Sequence, residues 1–327
     1  MSEAKTGPGA DLGNLFEEQR SGLLVHCYRF LGSYHDAEEA TQETFLRAWR
    51  SRGGFRGEAS VKTWLYRIAT RVCLDQLRRR SKRLSPGVGS PPSDPEGPPA
   101  APAGELSWLE PIPTAYLTDA STDPESAYTL AESVKFAFVA ALQTLPPRQR
   151  AVLILRDVLG WSAVEAAAAL ESSVPAANGA LHRARRQLRE TYHGSGVDSF
   201  PGSEPDDPQV ARMLAAYVEA WQRDDVDGLV ETLRADVRLA MPPIPSWYAG
   251  REDVLAALRA WVFPMGSFRL STAFLNAQPA YVIWLRAADG TEAALGVQVL
   301  TLDAEGISSI DSFMAPGLAE LLLADPG

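Results

Sequence analysis

The feature that most constrains the fold is the stretch 145–190, LPPRQRAVLILRDVLGWSAVEAAAALESSVPAANGALHRARRQLRE. Ser162 and Glu165 have the spacing of a capping box, which starts a short helix that runs to Leu170. A tight turn follows, and a second helix begins at Ser173–Pro175. Two short helices joined by a tight turn, the second basic and amphipathic, predict a helix-turn-helix.

The second helix of this motif has one apolar face and one polar face. The residues predicted to face inward are Val174, Ala177, Leu181, Ala184 and Leu188. The residues predicted to meet DNA are Pro175, Asn178, His182, Arg183, Arg185, Arg186 and Arg189. The alternative is a helical hairpin with a solvated basic face. Glu171 stands in the turn, where Gly is commoner, and Gly179 inside the helix costs about 1 kcal/mol.

The net charge of −10 hides an alternating distribution of charge. Residues 1–90 carry 15 Lys and Arg against 10 Asp and Glu, and residues 131–193 carry 8 against 5. Residues 91–130 carry no basic residue and 7 acids, and residues 194–327 carry 8 basic residues against 19 acids. Two basic segments suited to nucleic acid therefore alternate with two acidic segments.

The sequence also predicts where the protein works. No apolar run reaches the length of a membrane span, and MSEAKTGPGADLGN lacks the features of a signal peptide, so we expect a cytoplasmic protein. Cys27 and Cys73 both lie in helical patterns. We expect two buried, reduced thiols rather than a disulfide.

Two stretches rich in Pro, Gly and Ser divide the chain. Residues 85–127 are predicted to be an acidic linker, and its first half, SPGVGSPPSDPEGPPAAPAGE, is too rich in Pro, Gly and Ser to bury a core. The second half of this linker could dock on a folded surface through Trp108, Leu109, Ile112, Tyr116 and Leu117. A shorter linker covers residues 193–207. The folded pieces are then residues 11–84, 128–192 and 208–324.

The first piece is predicted to be a helical bundle. Phe16, Leu23, Cys27 and Leu31 share one helix face. In the next helix, DAEEATQETFLRAWR, the inward residues are predicted to be Ala37, Ala40, Thr44, Phe45, Ala48 and Trp49. Its outer face carries Glu39, Gln42, Glu43 and Arg50. A Gly-rich loop, SRGGFRGEAS, leads to a third helix with arginines on its outer side.

The third piece mixes helices and strands. Helices are predicted at 208–223 and 250–262, and strands at 268–276, 279–287, 292–302 and 307–313. Asp289-Gly290 is a hairpin turn between two of the strands. Consecutive strands after helices predict an α+β domain with a curved antiparallel sheet.

Three sequence stretches together carry a family resemblance. DAEEATQETFLRAWR, FRGEASVKTWLYRIATRVCLDQLRRR and LPPRQRAVLILRDVLGWSAVEAAAAL with LHRARRQL resemble the two domains of extracytoplasmic-function (ECF) sigma factors of the sigma-70 family. The resemblance implies that the first domain binds the clamp helices of the largest RNA polymerase subunit and opens the minus-ten element. It implies that the second domain reads the minus-thirty-five element. The implied partners are core RNA polymerase and promoter DNA.

The resemblance also implies residue roles. Glu39, Gln42 and Glu43 match the face that contacts the polymerase clamp, with a solvated face as the alternative. Trp64 matches an aromatic residue of promoter melting, with core packing as the alternative. The loop 52–60, which includes Arg56, corresponds to the segment that captures a flipped base. Phosphate contacts are implied for Arg67, Arg71, Arg78, Arg79 and Arg80.

The third piece resembles the SnoaL-like, or nuclear transport factor 2-like, fold, a cone-shaped α+β barrel with a pocket. YVEAWQRDDVDGLVETLRADVRLAMPP, WYAGREDVLAALRAW and SSIDSFM carry this resemblance. The predicted pocket residues are Trp247, Tyr248 and Asp311, and a small-molecule ligand is a further expected partner. All four His residues lie outside this piece, so we expect no metal, no cofactor and no catalysis there.

The sequence thus predicts a multidomain sigma factor. Two all-α sigma domains, a helical bundle and a helix-turn-helix, precede an α+β SnoaL-like barrel that acts as a fused regulator of either sign. One alternative is a small-molecule enzyme of the isomerase or cyclase type centred on the third domain. The other is an operator-binding regulator. The first domain argues against that hypothesis, because such a regulator needs neither a clamp-binding helix nor a strand-opening Trp.

Overall fold

The computed structural model describes residues 8–55, 59–79, 83, 90–102, 108–117, 130–191, 208–287 and 289–324, without the side chains of 8–12, 15, 191 and 324. The chain forms two compact units. One joins Met1–Arg83 to Ala115–Gly196, and the other joins Leu84–Thr114 to Val197–Gly327. Among the described residues, no helix is both long and apolar enough to span a membrane.

The first unit is helical, as predicted. Its helices are α1 (Pro8–Leu31), α2 (Tyr34–Ser51), α3 (Val61–Arg79), α4 (Phe136–Thr144), α5 (Pro147–Leu153), α6 (Ala163–Ala169) and α7 (Val174–Thr191). A 3-10 turn at Arg52–Gly54 follows α2, and a π-helical stretch at Ile154–Val158 extends α5. Leu23 of α1, Ala40 of α2 and Leu65 of α3 are fully buried, so these three helices share one core.

The prediction that Trp49 faces inward is wrong. Its side chain is 42% exposed, whereas the neighbouring Ala48 is fully buried. Successive helical residues are rotated by about 100°, so a helix that turns Ala48 to the core turns Trp49 away from it. Phe45 stacks on Phe16 with ring centroids 4.9 Å apart, and the Arg52 guanidinium covers the Trp49 ring at 4.3 Å.

The two cysteines are free and buried, as predicted. Cys27 lies on α1 and Cys73 on α3, and the two thiols interact inside the bundle. Burial, followed by the hydrogen bond with Cys27, raises the pKa of Cys73 well above its usual value. Because the thiolate is the reactive form, we expect this thiol to be inert.

One buried arginine joins α5 to the end of α1. The Arg150 guanidinium donates to the carbonyl of Phe30, to the Gln143 side chain, and to the Leu145 carbonyl at 3.3 Å. Gln143 also donates to the carbonyl of Arg29 at 3.4 Å. These donors satisfy carbonyls that the last turn of α1 leaves without helical partners. Burial lowers the pKa of Arg150 to about 10.

The second unit is built on one sheet. Its strands are β1 (Leu233–Ala240), β2 (Trp247–Ala249), β3 (Ser267–Leu275), β4 (Gln278–Arg286), β5 (Glu292–Asp303) and β6 (Gly306–Phe313). Its helices are α8 (Pro208–Gln222), α9 (Arg251–Ala257), continued by a π-helical stretch at Leu258–Val262, and α10 (Pro316–Ala324). The four predicted strands are confirmed to within one residue at each end, whereas β1 and β2 are not among the predicted elements.

The strand order is β2-β1-β6-β5-β4-β3. The predicted all-antiparallel sheet is wrong in one place, because β1 pairs with β6 in parallel. No strand is predicted before residue 250, so the sequence patterns do not reveal this pairing. The face formed by residues such as Leu239, Ile283 and Ile310 packs on α8 and α9 in the main core cluster. Helix α10 packs on β5.

Part of the predicted linker packs on the second unit. Leu109 and Ile112 are buried, at 1% and 0% exposure. The β3–β4 turn binds this segment, because Asn276 N donates to the Ile112 carbonyl at 2.9 Å and Ile112 N donates to Asn276 Oδ1 at 3.0 Å. Pro113 forms a bridge with Leu275. The apolar half of the linker thus docks on a folded surface, as its sequence indicates.

The same β3–β4 turn is conformationally strained. Ala277 has φ of +54°, in the left-handed region that costs an ordinary residue roughly 1 kcal/mol or more. We expect Ala277→Gly to raise the free energy of unfolding by about 0.5–1 kcal/mol, measured as a higher melting temperature. Ala273→Gly, in the extended body of β3, is the matched control and should lower it. A lower melting temperature for Ala277→Gly would contradict this account.

Candidate polymerase and promoter DNA interfaces

Helix α2 presents the predicted polymerase-binding residues. Ser33 caps the helix, since its hydroxyl accepts from Asp36 N at 3.2 Å. Glu39 and Gln42 are exposed one turn apart. Glu43 is half-buried and binds the Arg47 guanidinium at 2.7 Å. The acidic face therefore exists on the surface, with Glu43 already held by a cation of its own helix.

Exposed apolar side chains continue this face. Leu46 is 52% exposed and Trp49 is 42% exposed, and both lie within two turns C-terminal to Gln42. Sequence reasoning missed them as surface residues because apolar side chains in an amphipathic helix are ordinarily assigned to the core. Exposed Trp side chains are enriched at protein-binding surfaces.

Trp64 lies in the first turn of α3, directly after the loop 52–60. Ser60 caps α3, since its hydroxyl accepts from Thr63 N at 3.1 Å. Trp64 is half-buried, and its ring lies 5.0 Å from that of Phe55. This contact is compatible with both roles predicted for Trp64. Arg56 and Arg80 lie outside the described residues.

The arginines of α3 meet acidic side chains. Arg71 binds Glu171 of the helix-turn-helix at 2.8 Å, and both side chains are more than half exposed. Arg78 binds Asp75 of its own helix at 3.0 Å. Arg67 is half-buried, and Arg79 is exposed. Two of the four described phosphate-binding candidates on α3 are thus engaged by carboxylates.

The helix-turn-helix is confirmed in α6 and α7. Its capping box is complete: Glu165 N donates to Ser162 Oγ at 3.2 Å, and Ser162 N donates to Glu165 Oε2 at 2.8 Å. The hydrogen bonds with Ser162, and then the charge of Arg67, lower the pKa of Glu165. Glu171 has φ of +49° in the turn, the conformation that explains why Gly is commoner there.

Helix α7 has the two faces that were predicted. Ala177, Leu181, Ala184 and Leu188 are buried, and Val174 is half-buried. The exposed residues include all of the candidates for DNA contact: Pro175, Asn178, His182, Arg183, Arg185, Arg186 and Arg189. A Cβ at Gly179 would lie 3.5 Å from Arg183 Nη1, so nothing in the protein requires Gly at this position for space.

One candidate on α7 is bound within the protein. Arg185 donates to both carboxylate oxygens of Asp157, at 2.9 and 2.7 Å. Bidentate Arg–carboxylate pairs are among the stronger hydrogen-bonded contacts of proteins. The pair ties the middle of α7 to the π-helical stretch after α5. The sequence did not reveal this pair, because the two residues are 28 positions apart and helical spacing relates only residues within a few positions of one another.

The strand register separates the three predicted pocket residues. Ala240 pairs with Trp247 on one side and Asp311 on the other, so these two side chains share one face of the sheet. Leu239 pairs with Tyr248, which therefore points to the opposite face and into the main core. Asp311 is 2% exposed and binds Arg238 at 2.9 Å. Within the described ranges, no group of His, Cys, Asp and Glu could hold a metal ion.

Three family models match the chain in order. They are Sigma-70 region 2 over residues 15–83, Sigma-70 region 4 over 135–188, and the SnoaL-like domain over 214–310. The chain is 43% identical over 301 residues to the ECF RNA polymerase sigma factor SigG of Mycobacterium tuberculosis strain H37Rv, covering 91% of this chain and 80% of SigG. The chain belongs to the ECF sigma factors.

Two further comparisons cover nearly the whole of this ECF sigma factor. It is 26% identical over 318 residues to the probable ECF RNA polymerase sigma factor SigI of Mycobacterium tuberculosis, with 94% of each chain covered. Its structure is similar to the crystal structure of the Mycobacterium tuberculosis ECF sigma factor SigJ, with a TM-score of 0.61 at 22% identity. That match covers 96% of this chain and 99% of SigJ and shows the fold.

Proposed function

We propose that this ECF sigma factor binds core RNA polymerase and directs it to promoters. The α1–α3 bundle binds the polymerase clamp through α2 and contacts the minus-ten element through the loop before α3 and the arginines of α3. Helix α7 reads the minus-thirty-five element. Neither sigma domain performs catalysis.

The observation that carries this proposal is the pairing of two surfaces in one chain. Helix α2 exposes Glu39 and Gln42 beside the apolar Leu46 and Trp49. Helix α7 exposes a polar and basic face on a complete helix-turn-helix. A regulator that only binds an operator has a use for the second surface and none for the first.

Run-off transcription tests the proposal directly. Core RNA polymerase with this protein should initiate at a discrete set of sites on genomic DNA fragments, and core polymerase alone should not. A helix-turn-helix variant that replaces Asn178 and His182 by Ala should lose these sites. Failure of the complete protein to direct any specific start would reject the proposed function.

In this proposal, the phosphates of DNA compete with carboxylates of the same protein for the arginines of α3. Glu171 holds Arg71, and the charge of Arg67 acts on Glu165. The Arg71–Glu171 pair is exposed, and such pairs contribute only about 0–1 kcal/mol. Several phosphate contacts that release counterions exceed that energy, so promoter DNA can displace the glutamate.

We also propose that the second unit regulates the sigma domains in cis. Residues 194–327 carry 8 basic residues against 19 acids, whereas the segments that contain the sigma domains are basic. Opposite charges attract over a distance that shrinks as salt rises, to about 10 Å at 0.1 M. The short tether at 193–207 keeps the local concentration on the order of millimolar.

Truncation after His193 measures this regulation. We expect transcription and DNA binding by the truncated and complete proteins to differ at low salt, and the difference to shrink as salt is raised. The truncation uncovers Leu109 and Ile112, so a truncated form with both changed to Ser is the control. Superimposable activity of the truncated and complete proteins at every salt concentration would leave the second unit without a regulatory role.

The geometry of the three predicted pocket residues does not favour the alternative function, a small-molecule enzyme. Trp247 and Asp311 share a sheet face that Tyr248 does not share. The Asp311 carboxylate binds the Arg238 guanidinium and accepts a hydrogen bond from the Ser309 hydroxyl at 2.8 Å. We therefore propose a structural or ligand-binding role for the second unit rather than catalysis.

A further inference from the structure

The predicted linker makes a second contact, at the edge of the sheet opposite to β3. Strand β2 has three residues, pairs with β1 and forms one edge of the sheet. Residues 90–100, with the sequence SPPSDPEGPPA, lie along this edge. This contact involves different residues from those that bind Leu109 and Ile112 to the β3–β4 turn.

Two tryptophans and a serine of the second unit hold this segment. The indole N–H of Trp261 donates to the Pro95 carbonyl at 3.0 Å, and that of Trp247 donates to Ser90 Oγ at 3.3 Å. The Ala100 N–H donates to Ser246 Oγ at 2.9 Å. Every one of these bonds uses either the main chain of the segment or a small hydroxyl group.

The backbone of Trp247 adds two further contacts. Ser93 N donates to the Trp247 carbonyl at 2.8 Å, and Trp247 N donates to Ser93 Oγ at 3.3 Å. The backbone N–H and carbonyl of Trp247, on this edge strand, are thereby both bonded to the segment. Ser90 and Ser93, three residues apart, both bind Trp247, which matches the three residues per turn of a polyproline II helix.

From this geometry we propose that the cleft formed by Ser246, Trp247 and Trp261 is a binding site for proline-rich segments. Residues 90–100 fill the cleft in cis, and a proline-rich segment of a partner protein fills it when the cis segment leaves. The chemistry of recognition is that of proline-rich ligands in general: preset backbone angles, carbonyl acceptors and aromatic donors.

The burial pattern explains why the cis segment can leave. Residues 91–100 are either exposed or half-buried, and none of them is buried. In contrast, Leu109 and Ile112 are buried in the same unit. The segment 90–100 is therefore held weakly, whereas Leu109 and Ile112 are held firmly. Its occupancy depends on the tether, which supplies an effective concentration on the order of millimolar.

The test uses the complete chain and a synthetic peptide of residues 88–102, VGSPPSDPEGPPAAP. In one variant, residues 90–100 are replaced by an equally long Gly-Ser sequence, which empties the cleft. We expect the labelled peptide to bind this variant, measured by fluorescence anisotropy, at least tenfold more tightly than it binds the natural chain. A peptide with Pro91, Pro92 and Pro95 changed to Ala should bind more weakly.

Trp261→Phe in the emptied variant removes one indole donor and keeps an aromatic ring. We expect it to weaken peptide binding at least tenfold. Trp284→Phe is the matched control, since Trp284 Nε1 donates to Ser271 Oγ on the neighbouring strand, and it should leave binding unchanged. Equal peptide affinity of the emptied and natural chains, or no loss with Trp261→Phe, would overturn the proposal.

A second measurement keeps the proposal testable if the Gly-Ser variant does not fold. In the otherwise natural chain, Trp261→Phe should speed amide hydrogen exchange at Ser93 and Ala100, because these two amides of the segment donate to Trp247 O and Ser246 Oγ only while the segment is docked. Trp284→Phe should not. Unchanged exchange at these two amides in Trp261→Phe would reject the cleft as the element that holds the segment.

Discussion

Changing Glu39, Gln42 and Glu43 together to Lys is expected to abolish binding of core RNA polymerase. Glu39 and Gln42 are exposed on α2, and the substitution replaces an acidic face with a strongly basic one. Like charges placed across a protein interface cost several kcal/mol. Pull-down of core enzyme by the immobilised protein should fall to background, and run-off transcription should disappear with it.

The design needs two controls because Glu43 has a structural partner. Its ion pair with Arg47 is lost in the triple variant, so the double variant Glu39→Lys with Gln42→Lys tests the exposed positions alone. The triple change Glu17, Glu18 and Gln19 to Lys alters the charge by the same amount on α1 and leaves the residues of α2 unchanged. Undiminished pull-down by the α2 variants would remove α2 as the polymerase contact.

Replacing Asn178 or His182 by Ala is expected to change which promoter bases are preferred. Both side chains are exposed on α7, and each lost base contact should cost about 1–3 kcal/mol of discrimination at one position. This corresponds to roughly 5–150-fold in affinity. Binding to a library of minus-thirty-five variants at fixed salt measures the change position by position.

Arg189→Ala provides the contrast for this experiment. Arg189 is exposed at the last turn of α7, and loss of a phosphate contact should weaken all sequences alike and reduce the salt slope by about 1. Arg185 differs again, because it already binds Asp157 within the protein. If Asn178→Ala and His182→Ala weaken every sequence equally, direct base reading by these residues is wrong.

The contrast between Ala48 and Trp49 shows where sequence patterns fail. The 3.6-residue period correctly predicted the buried Ala37, Ala40, Thr44 and Ala48 of α2. The same period turns Trp49 about 100° away from Ala48, and the inward prediction for Trp49 rests on its hydrophobicity alone. Only the packing of α2 against its neighbours decided that Phe45 meets Phe16 and that Trp49 remains at the surface.

The sequence by itself determined the local elements of this protein. Helix faces, the capping box of Ser162 and Glu165, and the strands β3 to β6 follow from periods and turn residues within a few positions of one another. The family resemblance rests on the same local motifs, and the amino-acid sequence alone therefore carries it.

Only the tertiary structure decided the long-range partners. It pairs β1 with β6 in parallel, joins Arg185 to Asp157 and Arg71 to Glu171, and places a proline-rich stretch along the edge of β2. Each of these contacts joins residues that are far apart in the chain, and the local sequence around either partner is compatible with many others. Such pairings depend on how whole elements pack, because packing fixes which surfaces and which charges come within bonding distance.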